Sequence, residues 1–205
     1  MQPRYWIVPK MWDGATVFII GGGTSLESFD WSRLYDRHCI GCNDAYMLGA
    51  WVEICYFGDW RWYDIHKDKG LMEYKGLRVT CAEHPIVDPK ILNLNRRPVG
   101  IYEAPLIGWN YSTGGSAINL AIQLGAKNII LLGFDMKLGK SGEANWHPNL
   151  KNGPNPTVYE RFMEGMRTID IVRKKKFSHV NIFNVNDDSD LDVFPFLTLE
   201  EALVL

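Results

Sequence analysis

Three consecutive glycines, Gly21-Gly22-Gly23, followed by Thr24-Ser25-Leu26, come straight after the apolar run from Thr16 to Ile20. Backbone without Cβ atoms can turn sharply and admit a ligand to its amides, and phosphate suits amides at the start of a helix. Thr24 or Ser25 is the expected N-cap of that helix, with Glu27 in its first turn. The turn is neither a G-x-G-x-x-G nor a Walker A, because Leu26 fills the sixth position and no Gly-Lys-Ser/Thr follows. A close-packed strand-to-helix turn with no ligand would read the same way. A second anion-friendly turn is expected at Ser112-Thr113-Gly114-Gly115, where a hydroxyl and two glycines open an apolar helical pattern. His147, inside Asn145-Trp146-His147-Pro148, belongs to the residue type that titrates near neutral pH and is the candidate general base. By residue type alone it reads equally as an ordinary loop histidine. His38, His66, His84 and His179 have weaker settings and receive no role. No G-x-S-x-G elbow is present, so no Ser/His/Asp triad is expected.

These residues need a scaffold that gathers them. Apolar runs at Thr16–Ile20, His38–Cys42, Val52–Phe57, Leu77–Cys81, Asn128–Leu132 and Val180–Val185 read as buried strands. Helical spacing appears from Ser116 to Leu124, capped by Gly125, and from Val158 to Lys175. The Trp- and Tyr-rich segment after Asp59 also fits a helix. Thr198 and Glu201 form a capping-box pair for a short C-terminal helix. Strands alternating with helices predict an α/β fold: one doubly wound, mostly parallel, Rossmann-like sheet with helices on both faces. In such a sheet the carboxyl ends of the strands form the ligand crevice. Asn43-Asp44, Asp59, Ser112 to Gly115 and Asp135 all fall at strand ends or helix starts. The expected nucleotide-binding set is therefore Gly21, Gly22, Gly23, Ser25, Asn43, Asp59, Ser112, Thr113, Gly114 and Asp135. Residues 1–15 read as an N-terminal arm and 16–205 as a single Rossmann-like nucleotide-binding domain. Residues 82–111 show no clean period and read as a lid or an insertion, and a polar loop runs from Leu138 to about Pro156.

Composition narrows the function classes. A net charge of −2 argues against broad binding to duplex nucleic acid. The basic run Arg173 to Lys176 reads as a solvated helix end favoured by the helix dipole. No charged and apolar leader and no apolar stretch long enough to span a bilayer is visible, so a cytoplasmic location is expected. The four cysteines fall on or beside strands and read as reduced core thiols; Cys39 and Cys42 lack the second pair that a metal knuckle needs. Eight Trp and nine Tyr exceed the needs of a core this size, and some of these rings are expected to line a cleft.

The motifs together resemble a known group. Val17 to Leu26 is similar to the opening glycine turn of the bacterial family-42 sialyltransferases and of the related DUF115 (MptE-like) proteins, small phage-type members among them. Cys42-Asn43-Asp44-Ala45-Tyr46 resembles the Cys-Asn-x-x-Tyr element of those sialyltransferases. Ser112 to Gly115, through Leu132-Gly133-Phe134-Asp135, resembles their Ser/Thr-Gly helix, apolar strand and G-x-D end. The resemblance implies a scaffold that binds a CMP-activated sugar without requiring a metal. By it, Asn43 contacts the nucleotide, Thr113 and Gly114 lie near ribose or phosphate, and His147 takes the acceptor proton. The departures fall on donor-contacting turns: the family's Asn and Pro of the first turn are Gly22 and Thr24, and its Asn segment after the third strand is Phe57-Gly58-Asp59. The MptE-like branch implies instead a diphosphate transfer from ATP to a hydroxymethyl pterin with Mg²⁺, which Asp59 and Asp135 would help to hold. The leading expectation is a glycosyltransferase taking a nucleotide-sugar and a small-molecule or glycan acceptor. The ATP- and Mg²⁺-dependent diphosphotransferase is the second reading, and a nucleotide-binding protein without catalysis is the third.

Overall fold

The computed structural model describes residues 5–147 and 157–205. Residues 148–156 of the expected polar loop and residues 1–4 of the expected arm lie outside the described residues. The strands are β1 (Thr16–Ile20), β2 (His38–Cys42), β3 (Ile54–Phe57), β4 (Leu77–Thr80), β5 (Ile91–Asn93), β6 (Asn95–Arg97), β7 (Leu106–Gly108), β8 (Asn128–Leu132) and β9 (Asn181–Asn184). The helices are α1 (Trp60–His66), α2 (Thr113–Gln123), α3 (Thr157–Lys176) and α4 (Leu199–Leu203). Seven strands form one sheet in the order β5-β4-β3-β2-β1-β8-β9, with every pairing parallel. The chain winds outward from β1 in both directions, so the sheet reverses between β1 and β8. That reversal is the position where an open α/β sheet presents its ligand crevice.

Period-two alternation sends neighbouring residues of β1 to opposite faces. Val17 and Ile19 join Ile40, Ile54, Tyr56 and Val79 beneath α2, whose Ala117, Ile118, Leu120 and Ala121 are fully buried. Met166 and Ile169 of α3 close the same core from outside, so α2 is packed between sheet and helix. Phe18 and Ile20 face the other way, with Cys39, Val52, Ile130 and Leu132. That face is covered by 3-10 turns and by the rings of Phe29, Trp31, Trp51 and Trp146. The α-helix expected from Thr24 is a single 3-10 turn, Thr24–Leu26, followed by a second one, Trp31–Leu34. Competing local hydrogen bonding explains the difference. Asp30 caps the second turn by accepting from Ser32 N–H, only a few residues beyond the first, and leaves no length for an α-helix. Cys39 and Cys42 lie on opposite faces of β2, and all four cysteines are buried free thiols. Arg173 and Lys174, in the basic run, pair with Asp170 on α3. Thr198 and Glu201 form the expected capping box.

The segment that lacked a period is tied to α2 by buried amides. Asn119, fully buried, accepts from the backbone N–H of Tyr102 and of Gly108 at 3.0 and 2.9 Å and donates to Tyr102 C=O. Asn110 does the same work at the loop end, accepting from Gly100 N–H at 2.7 Å. Tyr5 bridges to Asn93, Trp6 N–H donates to Asn93 C=O, and Trp12 is buried against the end of α2 through a bond to Leu124 C=O. Replacing Asn119 by Ala orphans the buried Gly108 N–H and the partly buried Tyr102 N–H, at about 1–3 kcal/mol each. Urea unfolding should show Asn119→Ala destabilised by about 2–4 kcal/mol; a loss below about 0.5 kcal/mol would refute this account of the segment.

Candidate functional site

The glycine turn leaves β1 at the sheet reversal, and its neighbours come chiefly from the end of β8. A Cβ on Gly21 would lie 2.7 Å from Gly133 C=O. A Cβ on Gly23 would run into the carboxylate of Asp135, and one on Gly22 into the side-chain amide of Asn145. The absence of side chains here is therefore demanded by the protein's own packing. Asp135 is 5% exposed and accepts from Ser25 N–H at 2.8 Å, Ser25 Oγ–H at 2.6 Å and Asn186 Nδ2–H at 2.8 Å. Both donors of Ser25 are thus directed at a carboxylate supplied by the chain. Trp146 closes the other side: its backbone N–H donates to Gly22 C=O and its indole N–H to Gly21 C=O. The loop that carries His147 is pinned to the glycine turn through this residue.

The second expected turn keeps amides free. Ser112 caps α2 by accepting from Gly115 N–H at 2.9 Å. The amides of Thr113 and Gly114 precede the first intrahelical bond and border the cleft. A Cβ on Gly114 would strike the ring of Phe134, so this glycine too is required by packing. Non-glycine residues in the left-handed region gather beside these turns. Asn43 (φ 52°), Tyr111 (φ 62°) and Met136 (φ 55°) follow β2, precede α2 and follow β8, and all three border the cleft. Bulky residues adopt that conformation rarely, and such strain concentrates at ligand sites.

Across the cleft lies a carboxylate between two imidazoles. Asp44, 3% exposed, sits in the 3-10 turn after β2. Its Oδ1 accepts the indole N–H of Trp62 at 2.6 Å and faces His66 Nε2 at 3.4 Å. Its Oδ2 faces His147 Nδ1 at 3.4 Å. Trp62 and His66 project from α1 four residues apart, and their rings stack with centroids 4.1 Å apart. His66 Nδ1 meets Tyr46 Oη at 3.1 Å, and that hydroxyl reaches Lys69 C=O. Burial pushes the pKa of His147 below its ordinary value, opposed by Asp44. Burial pushes His66 down as well, with Asp44 opposing and Lys69 and His147 adding to the shift. Both rings are therefore neutral at pH 7, the state that a general base requires.

The cleft encloses about 760 Å³, a volume in the range of small-molecule and cofactor sites. Of the expected residues, Gly21, Gly22, Gly23, Asn43, Asp59, Ser112, Thr113, Gly114, Asp135 and His147 border it, while Ser25 touches it only through Asp135. Asp59 caps α1 by accepting from Arg61 N–H at 2.8 Å. Asp59 and Asp135 thus each hold local backbone, and among the described residues no group of three or more His, Cys, Asp or Glu side chains could hold a metal ion. The rings of Trp109, Tyr111, Phe134, Tyr159 and Phe162 line the opposite wall. Sequence reasoning missed Asp44 and His66 as site residues. The available signal was the spacing of Trp62 and His66, which puts both on one face of a helix. Among the described residues, no helix is long and apolar enough to cross a membrane.

No family model and no curated protein sequence matches the chain. Solved structures do share its fold. The sialyltransferase CstII from Campylobacter jejuni, in complex with the substrate analogue cytidine-5'-monophosphate, superposes with a TM-score of 0.55 at 15% identity, over 91% of this chain and 86% of that one. The complex of the same enzyme with CMP-3FNeuAc gives 0.53 at 16% identity, over 90% and 85%. The MAf glycosyltransferase from Magnetospirillum magneticum AMB-1 gives 0.57 at 14% identity, over 95% of this chain and 35% of that one. At these identities the likeness establishes a common α/β Rossmann-like fold.

The two histidines carry a consequence for stability. A folded-state pKa depressed below the unfolded value of 6.5 means that the folded protein binds fewer protons than the unfolded one. The stabilisation is complete above that value and is lost as pH falls through the folded pKa. The melting temperature should be flat well above the unfolded value of 6.5, fall as pH drops below it, and fall less steeply in His147→Gln. Equal slopes for the two proteins would contradict the depressed pKa of His147.

Proposed function

We propose that the cleft is the donor site of a nucleotide-sugar-dependent glycosyltransferase with His147 as general base. The observation that carries this reading is the Asp44–His147 pair, 3.4 Å apart, with a neutral imidazole bordering the same cleft as the amides at the start of α2. Asn43 follows β2 and borders the cleft, which suits it to hold the nucleoside. The amides of Thr113 and Gly114, with the dipole of the eleven-residue α2 behind them, would hold the donor phosphate. The acceptor hydroxyl oxygen would bond to the anomeric carbon while the bond from that carbon to the phosphate oxygen breaks. The electron pair leaves on the phosphate, whose new charge the α2 amides would offset. The hydroxyl proton passes to Nε2 of His147, and Asp44 stabilises the resulting imidazolium from the Nδ1 side. The aromatic wall from Trp109 to Phe162 suits the apolar faces of sugar rings.

The structural neighbours support a CMP-linked donor, since CstII was captured with CMP and with CMP-3FNeuAc. The departures at Gly22 and Thr24 leave UDP-sugars to be compared directly. Thermal-shift screening separates the readings by mass action. CMP or UDP should raise the melting temperature without added metal. Stabilisation by ATP alone, and only with Mg²⁺, would overturn the proposal in favour of the diphosphotransferase. For the base, His147→Ala should reduce transfer about 10²–10⁴-fold while nucleotide affinity stays within a factor of about three. Transfer at the wild-type rate would remove His147 from the mechanism, and tight nucleotide binding with no turnover of any donor would mark a non-catalytic protein.

A further inference from the structure

His66 is not needed by the mechanism above, yet it is among the most elaborately held side chains in the molecule. Its ring is stacked on Trp62, its Nδ1 lies 3.1 Å from Tyr46 Oη, and its Nε2 faces the carboxylate that also faces the proposed base. A core histidine needing only hydrogen-bond partners could take them from backbone; this one is directed at a buried charge.

We propose that His66 is a positioning residue that shares Asp44 with His147 and thereby sets how readily His147 accepts a proton. This assignment rests on the reading of His147 as the base. The coupling follows from the geometry. One carboxylate, 4% exposed at its side chain, stands 3.4 Å from an imidazole nitrogen on each side. A proton arriving on either ring meets the negative charge of Asp44. A proton arriving on the second ring meets a pair already neutralised, and a neighbouring cation besides. The node therefore holds one added proton readily and resists a second, as coupled sites do.

The surroundings favour keeping the proton off His66. Lys69, on the turn after α1, sets a second positive charge near it, and from the turn after β2 only Asp44 opposes. Tyr46, on that same turn, is uncharged at pH 7, because burial and the nearby Cys55, Asp44 and Glu73 raise its pKa to about 12. No described group besides Asp44 and His66 exerts a notable charge effect on His147 from the elements around it. A neutral His66 either donates from Nε2 to Asp44 with Nδ1 accepting from Tyr46, or donates from Nδ1 to Tyr46 Oη, whose own proton goes to Lys69 C=O. With Nε2 on Asp44 Oδ1, the carboxylate still faces His147 through Oδ2. A protonated His66 would engage the carboxylate as an ion pair and weaken His147 as a base.

Histidine Cε1 resonances followed by ¹³C-NMR across pH 4.5–8 test this on the intact protein, independently of any turnover. In wild-type protein, His66 and His147 should each titrate in two steps, with proton affinities at least about tenfold apart. In His66→Gln, which keeps a neutral polar group beside Asp44, His147 should titrate in one step, the second step being lost with the coupled site. Single-step, mutually independent wild-type curves would overturn the coupling even if no variant folds. An unchanged His147 titration in a folded His66→Gln would overturn it too, and would leave His66 as packing. Two-step titration in a protein that transfers no sugar would retain the coupling and overturn the function.

Discussion

A carboxylate removed from water must be supplied with donors, and two such groups shape this cleft. Asp135 meets the requirement with the amide and hydroxyl of Ser25 and the amide of Asn186. Asp44 accepts from the indole of Trp62 and stands between two imidazole nitrogens, each 3.4 Å away. Each carboxylate follows a strand at the open edge of the sheet, and each draws together segments that are distant in sequence. Through Asp135 the turn after β1 is locked to the end of β8. Through Asp44 the end of β2 is joined to α1 and to the loop bearing His147.

This division decides what each part of the cleft can offer a ligand. The glycine turn has spent its Ser25 donors on Asp135, and its carbonyls at Gly21 and Gly22 accept from Trp146. Its contribution is shape and anchoring, because the loop with His147 hangs from it. Amides that precede the first intrahelical bond lie at the start of α2, and His147 borders the same cleft. Strained backbone at Asn43, Tyr111 and Met136 brings side chains from three different strand and helix ends to the same space. A transferase needs this separation, with anion stabilisation on one side of the reacting bond and proton acceptance on the other.

The parallel sheet was legible because buried strands in this chain are short, uniformly apolar and punctuated by Gly, Asn or Asp. The positions of Gly21, Asn43, Ser112 and Asp135 at strand and helix ends followed from that pattern. What was not legible had specific physical causes. The helix expected after Gly23 is a 3-10 turn because Asp30, close behind, begins another capped turn. Residues 82–111 hide β5, β6 and β7 because their anchors are the single polar side chains Asn110 and Asn119, which leave no periodic trace. Asp135 looked like a ligand-facing residue; its partners Ser25 and Asn186 are 110 and 51 positions away. His66 looked idle because Asp44, 22 positions earlier in the chain, becomes its neighbour only once α1 packs beside β2.

The central claim is that phosphate sits at the start of α2 with the reacting carbon turned toward His147. A crystal structure with a non-hydrolysable CMP-sugar or UDP-sugar tests it most directly. The account predicts phosphate oxygens within hydrogen-bonding distance of the Thr113 and Gly114 amides, the nucleoside against Asn43, and the anomeric carbon on the side of His147 Nε2. A nucleotide whose phosphates instead lie against Asp59 and Asp135 through a metal ion, with His147 turned away, would contradict it.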